Sequence, residues 1–427
     1  MNNASSLFDF IDKCPTAFNT VDTIKDILNK AGYSEICEYE DERFVTSGRF
    51  YVTRGDSSII AFVRGQCAEG FTVCASHTDT PCLKITGMDE KLGSYATVPV
   101  ERYGGAILYS WLDRPLSVAG RVVVRSERGL FVKIINVDRD LLCIPSVAIH
   151  QNRGVNDGYK FNLAVDMLPL FSVDNGGGAL RSTVADAAGV SSSDIVSSDL
   201  YVYNRERGKV FGKDGELILS PRLDNLASVY SSLVAFLSAE SRDDTVRVLC
   251  AFDNEEVGSS TKQGANSTFL ETVLTKIAGS ETKLTRMLTS SFMVSLDNSH
   301  ARHPNHPELS NSEASPLLGG GVAVKYHAGQ SYTTDAVSDA VIRSVAQTAD
   351  VKLQSVATRA DMPSGSTLGS IATTRVGISS VDLGIPQLAM HSACETMALS
   401  DVSDAIRLLT RLYSSRIVRI GNEITIK

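Results

Sequence analysis

The chain has 427 residues, with 41 Lys and Arg against 49 Asp and Glu, a formal charge of -8 and 43% hydrophobic residues. That is more chain than one ordinary core uses, so two domains are expected, and the apolar content suits a globular protein with a large core. The acidic balance argues against nucleic acid or an anionic membrane as the main partner, and no run approaches the roughly 18 consecutive apolar residues of a membrane helix.

Residues 6–31 carry helical spacing, broken near Pro15 and closed by Gly32. The runs FYVTR, SIIAFV and FTVCASH follow as strands. From about 85 to 218 the texture changes to short β segments (RVVVRS, LFVKIINV, YVYN) separated by glycine and polar stretches, with a loose SSSDIVSSD at 191–199. After SPRLDN, helices and strands alternate: ASVYSSLVAFLSA, then VRVLCAF, SFMVSL and SSVDLG, and a last helix SDAIRLLTRLYSSRI. This rhythm predicts an α/β fold, a mostly parallel sheet with helices on both faces. The sheet domain would be split, 1–84 and 219–427, around an inserted β-rich domain at 85–218. The start, MNNASSLFDFIDKC, lacks the basic residues and apolar run of a signal peptide. The eight cysteines include no CxxC spacing and several lie in apolar runs, so they read as buried thiols of a cytoplasmic protein.

Sites in open α/β sheets gather beyond the carboxyl ends of the strands. Beyond FTVCAS come His77 and Asp79; beyond VRVLCAF come Asp253, Glu255 and Glu256; beyond SFMVSL come Asp297 and His300. SSVDLGIPQLAM leads to His391, and SPRL to Asp224 and Asn225. Singly, each is an ordinary polar pair or solvated acid. Together, two histidines and several carboxylates are a donor set for divalent ions, above all zinc, with cobalt and manganese also tolerated. Five donors, His77, Asp224, Glu256, Asp297 and His391, fill two four-coordinate shells only if one carboxylate bridges. Asp224 suits that role, with His77 and Asp297 completing one set and Glu256 and His391 the other. Glu255 is then left for the attacking water as general base. Asp79 can accept the second ring N–H of His77 and fix its tautomer.

At these residues the sequence resembles the aspartyl aminopeptidase family of dinuclear zinc exopeptidases. The matching blocks are SHTDTP, YGGAILYSWLDRPLSVAGRV, IPSVAIHQNR, PRLDNLAS, FDNEEVGSSTKQGA, SLDNSHARHPNHPE, DMPSGSTLG and PQLAMHSACE, spread over nearly the whole chain. The resemblance implies removal of an N-terminal Asp or Glu from peptides with a free amine, two zinc ions per subunit, and a tetrahedral homododecamer joined in part by the insert. It implies the metal roles above, with Asp79 and Glu255 as the catalytic carboxylates. It also implies that His150 serves a neighbouring subunit's site. Lys325 would pair with the acidic side chain of the substrate and Tyr332 would add a phenolic hydrogen bond, with Asp361 and the Gly365–Ser366 turn shaping the same pocket. The sequence departs from the family at Asn19, where many relatives carry histidine, and at Ser364, where many carry cysteine. A broader dinuclear zinc aminopeptidase or a related zinc amidohydrolase is the alternative reading.

Overall fold

The computed structural model describes residues 3–174 and 177–427; the N-terminal stretch compared above with a signal peptide begins with residues 1 and 2, which lie outside them. Its centre is a nine-stranded mixed sheet. The strand order is Ser34–Glu35, Gly48–Arg54, Ser58–Arg64, Val246–Phe252, Phe71–His77, Phe292–Leu296, Ser380–Gly384, Val322–Tyr326 and Leu353–Ala357. The four middle strands, from Val246–Phe252 to Ser380–Gly384, run parallel to one another. Their carboxyl ends therefore open on a single edge.

These middle strands are continuous apolar runs because both faces are covered. Leu249 and Ala251 pack toward the helices Asn3–Lys13, Leu223–Ser238 and Leu399–Tyr413, while Val248, Cys250 and Phe252 pack toward Phe269–Ala278 and Leu368–Val376. The first helical stretch divides at Pro15, into Asn3–Lys13 and Ala17–Lys30, where Thr16 caps the second helix. Pro15 itself lies between them, since a proline cannot supply the helical N–H.

A second, five-stranded sheet is antiparallel, in the order Gly129–Asn136, Leu116–Ser126, Ile195–Asn204, Cys82–Ile85 and Val100–Tyr103. Its core joins Val118, Val122, Leu200 and Val202 to Leu180 and Val184 of the helix Ala179–Ala188. A smaller sheet aligns Lys209–Phe211, Leu217–Ser220, Glu395–Ala398, Pro386–Leu388 and Ser299–His300, and lies where segments from both halves of the chain meet.

Three local expectations change. The stretch 191–199 is not loose: Ile195–Asn204 is a ten-residue strand whose Asp199 is held by Lys84 at 3.2 Å and Arg121 at 2.9 Å. Its serines disguise the alternation of Leu200 and Val202, and the register shifts between Ile195 and Ser197. The last helix spans Leu399–Tyr413, and Ile417 already belongs to a terminal hairpin. Val322–Tyr326 and Leu353–Ala357 add strands that sequence periodicity left unassigned. Among the described residues no helix is long and apolar enough to cross a membrane.

Candidate metal centre

His77 is the last residue of its strand, and Phe252, its neighbour in register, ends the adjacent strand just before Asp253. Asp297 follows the strand Phe292–Leu296 in the same direction. Asp224 sits at the start of the helix Leu223–Ser238 in a non-helical conformation, where the Asp224–Asn225 peptide bond is cis. His391 lies beyond Pro386–Leu388 with φ at 69°, a left-handed conformation. Five segments thus bring five donors to one edge.

The imidazole of His77 is buried, with Nε2 at 3.5 Å from Asp224 Oδ1 and 3.4 Å from Asp297 Oδ1. Nε2 of His391 lies 3.7 Å from Asp224 Oδ2 and 3.5 Å from Glu256 Oε2. The two oxygens of Asp224 therefore face two different histidines. Atoms bound about 2.1 Å from one tetrahedral zinc stand about 3.4 Å apart, so these separations suit donors around a shared cation better than hydrogen bonds. Asp224 Oδ1 is buried with no hydrogen-bond partner, and one ligand atom each from His77, Asp224 and Glu256 falls within 4.8 Å of the others. The residues present fit zinc.

Charge points the same way. Burial pushes the Glu255 carboxyl up to about 8, with His77 opposing and Asp297, Asp79 and Asp224 adding to the rise. Burial and Asp224 hold Glu256 well above the usual carboxylate range. Burial lowers the His77 imidazole pKa, but Asp224, Asp297 and Asp79 beside it raise it well above its ordinary value. Carboxylates crowded together in a buried site are what a bound cation compensates.

Asp79 is engaged on every side. His77 Nδ1 lies 3.0 Å from its backbone oxygen and 3.3 Å from Oδ1. Its carboxylate accepts the backbone N–H of Glu255 at 3.2 Å and of Glu256 at 3.1 Å, and the Tyr103 hydroxyl at 2.7 Å. This carboxylate positions the histidine and the acidic doublet together. The following glycines approach closely: a Cβ on Gly104 would meet the Glu256 side chain at 3.1 Å, and one on Gly105 would meet His391 Nδ1 at 3.0 Å.

The site opens into a cleft of about 760 Å³ lined by His300, His303, Lys325, Tyr332, Arg359, Gly365 and Ser366 besides the donors. Lys325 is buried, 3.5 Å from Asp297 Oδ2 and 5.5 Å from the Tyr332 ring centroid. Burial opposes its charge, yet Asp297 keeps its pKa above the ordinary lysine value. Asp361 is exposed and turned to Arg359, with two contacts at 2.6 and 2.7 Å. His150 lies exposed in the insert and is not among the residues lining its own chain's cleft. His303 and His306 occupy the irregular stretch before Pro307, as loop residues.

Sequence reading missed four polar residues here: Tyr103, Asn298, Gln387 and Glu395. Asn298, Gln387 and Glu395 are buried. Glu395 offered the one local signal, as the lone acid between Asp382 and Asp401, four residues after His391.

A model of the aminopeptidase I zinc metalloprotease (M18) family matches residues 10–413. A probable M18 family aminopeptidase 2 of Clostridium novyi is 40% identical, with 96% of this chain and 98% of that protein aligned. Among solved structures, a chain in the cryo-EM structure of the Ape4 and Nbr1 complex is 34% identical with a TM-score of 0.93, covering 96% of this chain and 85% of that one. The mApe1 of Chaetomium thermophilum is 28% identical, TM-score 0.84, with 96% of both chains covered.

Proposed function

The chain belongs to the aminopeptidase I zinc metalloprotease family, M18, and is a zinc-dependent aminopeptidase; from that premise we propose that it prefers peptides beginning with Asp or Glu, and that Glu255 is its general base. The observation carrying this reading is the division of Asp224 between His77 and His391. His77, Asp224 and Asp297 would hold one zinc ion, and Asp224, Glu256 and His391 the other. Zinc there supplies Lewis acidity and water of lowered pKa.

Glu255, next to a donor but not itself one, takes a proton from the attacking water and returns it to the leaving amine. Asp79 keeps the backbone of Glu255 and the ring of His77 in register through the bonds described above. Lys325, the buried cation of the cleft, receives the acidic side chain of the substrate's first residue, with Tyr332 beside it. Asp361 acts on this pocket through Arg359. The split catalytic domain, 1–84 and 219–427, would carry the chemistry, and the insert, 85–218, the assembly.

We further propose a homo-oligomer, the tetrahedral dodecamer, with His150 reaching a neighbouring copy's cleft. Its exposure beside Val147 and Ile149, themselves 54% and 48% exposed, supports that role.

The deciding experiment measures rates on Asp-, Glu-, Leu- and Ala-leading peptides and an N-acetylated Asp peptide, with zinc counted on the same sample. Two zinc ions per chain, cleavage favouring acidic free-amine peptides and no cleavage of the blocked one are expected. Equal rates on Asp and Leu would remove the acidic preference, and cleavage of the blocked peptide would favour an amidohydrolase.

A further inference from the structure

Behind the proposed donors lies a buried chain of three amide and carboxylate side chains that the chemistry above does not use. Asn298, Gln387 and Glu395 are 2%, 1% and 1% exposed. The amide of Asn298 donates to the backbone oxygen of Leu223 at 2.7 Å and to Gln387 Oε1 at 2.9 Å. Gln387 Nε2 in turn donates to Glu395 Oε1 at 3.3 Å. The Glu395 carboxylate ends the chain by accepting two backbone N–H groups, from Asp224 on Oε2 at 2.9 Å and from His391 on Oε1 at 2.8 Å.

Both ends of this chain are tied to the backbone around proposed donors, and Gln387 links the two ends. Asn298 is peptide-bonded to Asp297 and grips the carbonyl just before Asp224. Glu395 grips Asp224 and His391 themselves. The small sheet sets this up: Ser220 stands opposite Glu395, and His300 opposite Gln387. His391 has the most to lose, since its left-handed backbone is one that few non-glycine residues adopt. Its segment is also held by a backbone bond from Ile107 to the His391 oxygen, by Ser110 and Asn204 bonding to the backbone of Ala393, and by the close approach of Gly105, but the His391 N–H itself goes to Glu395.

We infer that Asn298, Gln387 and Glu395 form a brace that fixes Asp224 against His391, and that Glu395 is the positioning residue on which retention of the zinc ion between them depends. The inference rests on the dinuclear reading above. Its chemistry is directional. A carboxylate only accepts, so it can face two N–H donors at once; a glutamine there must turn its own NH₂ toward Asp224 or His391 and push one of them away.

The test uses the full-length zinc-loaded protein, zinc alone as probe, dialysis against a graded chelator, and the melting temperature of the zinc-stripped protein. Glu395→Gln and Gln387→Leu should each release one of two zinc ions at a zinc affinity about 10- to 100-fold weaker than the parent, with the other ion held and the stripped melting temperature unchanged. Gln387→Leu decides alone should Glu395→Gln not fold. Parental retention of both ions in the variants overturns the brace. So does loss of both ions in step with a lowered melting temperature, the mark of a merely structural role. His391→Ala is the reference for a direct donor: if it keeps both ions the centre itself is wrong and the brace falls with it, whereas loss of one ion there alone condemns only the brace.

Discussion

The central parallel strands and the outer strand of the antiparallel insert sheet handle their side chains in opposite ways. Every residue of Val246–Phe252 and Phe71–His77 is buried, whereas Gly129–Asn136 leaves its first five residues exposed. Parallel strands all finish at one edge, so each apolar run that stops there delivers its polar successor to the same place. Antiparallel strands finish alternately at both edges and scatter such residues. The insert accordingly meets the candidate centre mainly from one side, with the Tyr103 hydroxyl on Asp79, the backbone of Gly104 and Gly105, and Ile107 on the His391 oxygen. Chemistry is concentrated by strand direction more than by strand composition.

That contrast can be broken or sharpened by substitution. Glu255→Gln, at a parallel-strand end, should keep both zinc ions and lose about 10²- to 10⁴-fold in kcat; zinc analysis beside kinetics checks it, and loss of metal instead would exchange the roles of residues 255 and 256. Lys325→Ala should lower kcat/KM for Asp-leading peptides by about 30- to 150-fold, the ~2–3 kcal/mol of an unpaired buried carboxylate, while Leu-leading peptides change little. Equal losses on the two peptides would take Lys325 out of the specificity pocket.

The insert's part is steric and smaller. Gly105→Ala places a methyl group 3.0 Å from His391 Nδ1, and an overpacking cost of ~1–2 kcal/mol should appear as about 10-fold weaker zinc retention in chelator competition. An unchanged affinity would show that His391 can yield. The smallest effect belongs to the solvent face. Val132→Ser, at a position 49% exposed, should shift stability within about 0.5 kcal/mol by denaturant unfolding of dilute protein. A larger loss would mean that this strand is covered by another copy.

Particular residues show what the chain makes legible. His77, Glu256 and Asp297 stand out because a run of buried apolar residues ends immediately before or within a few residues of each, a local pattern. Ile195–Asn204 does not stand out, since Ser197, Ser198 and Asp199 read as loop until Lys84 and Arg121 are seen to hold Asp199. Glu395 is harder still. The amide it binds at Asp224 lies 171 residues earlier, and no spacing rule connects the two. Lys325 is visible as a cation, but its burial against Asp297 comes from the strand Val322–Tyr326, which periodicity did not delimit.

The sequence alone determined the inventory of candidate donors, the alternation that makes a largely parallel sheet, and hence the edge where those residues arrive, because identity and periodicity are properties of short stretches. It took the packed chain to show that Asp224 turns one oxygen to each histidine, that Asp79 holds ring and doublet together, and that a buried amide chain stands behind them. Those outcomes depend on distances between segments far apart in the chain, and such distances are fixed by sheet register and packing, which no local pattern encodes.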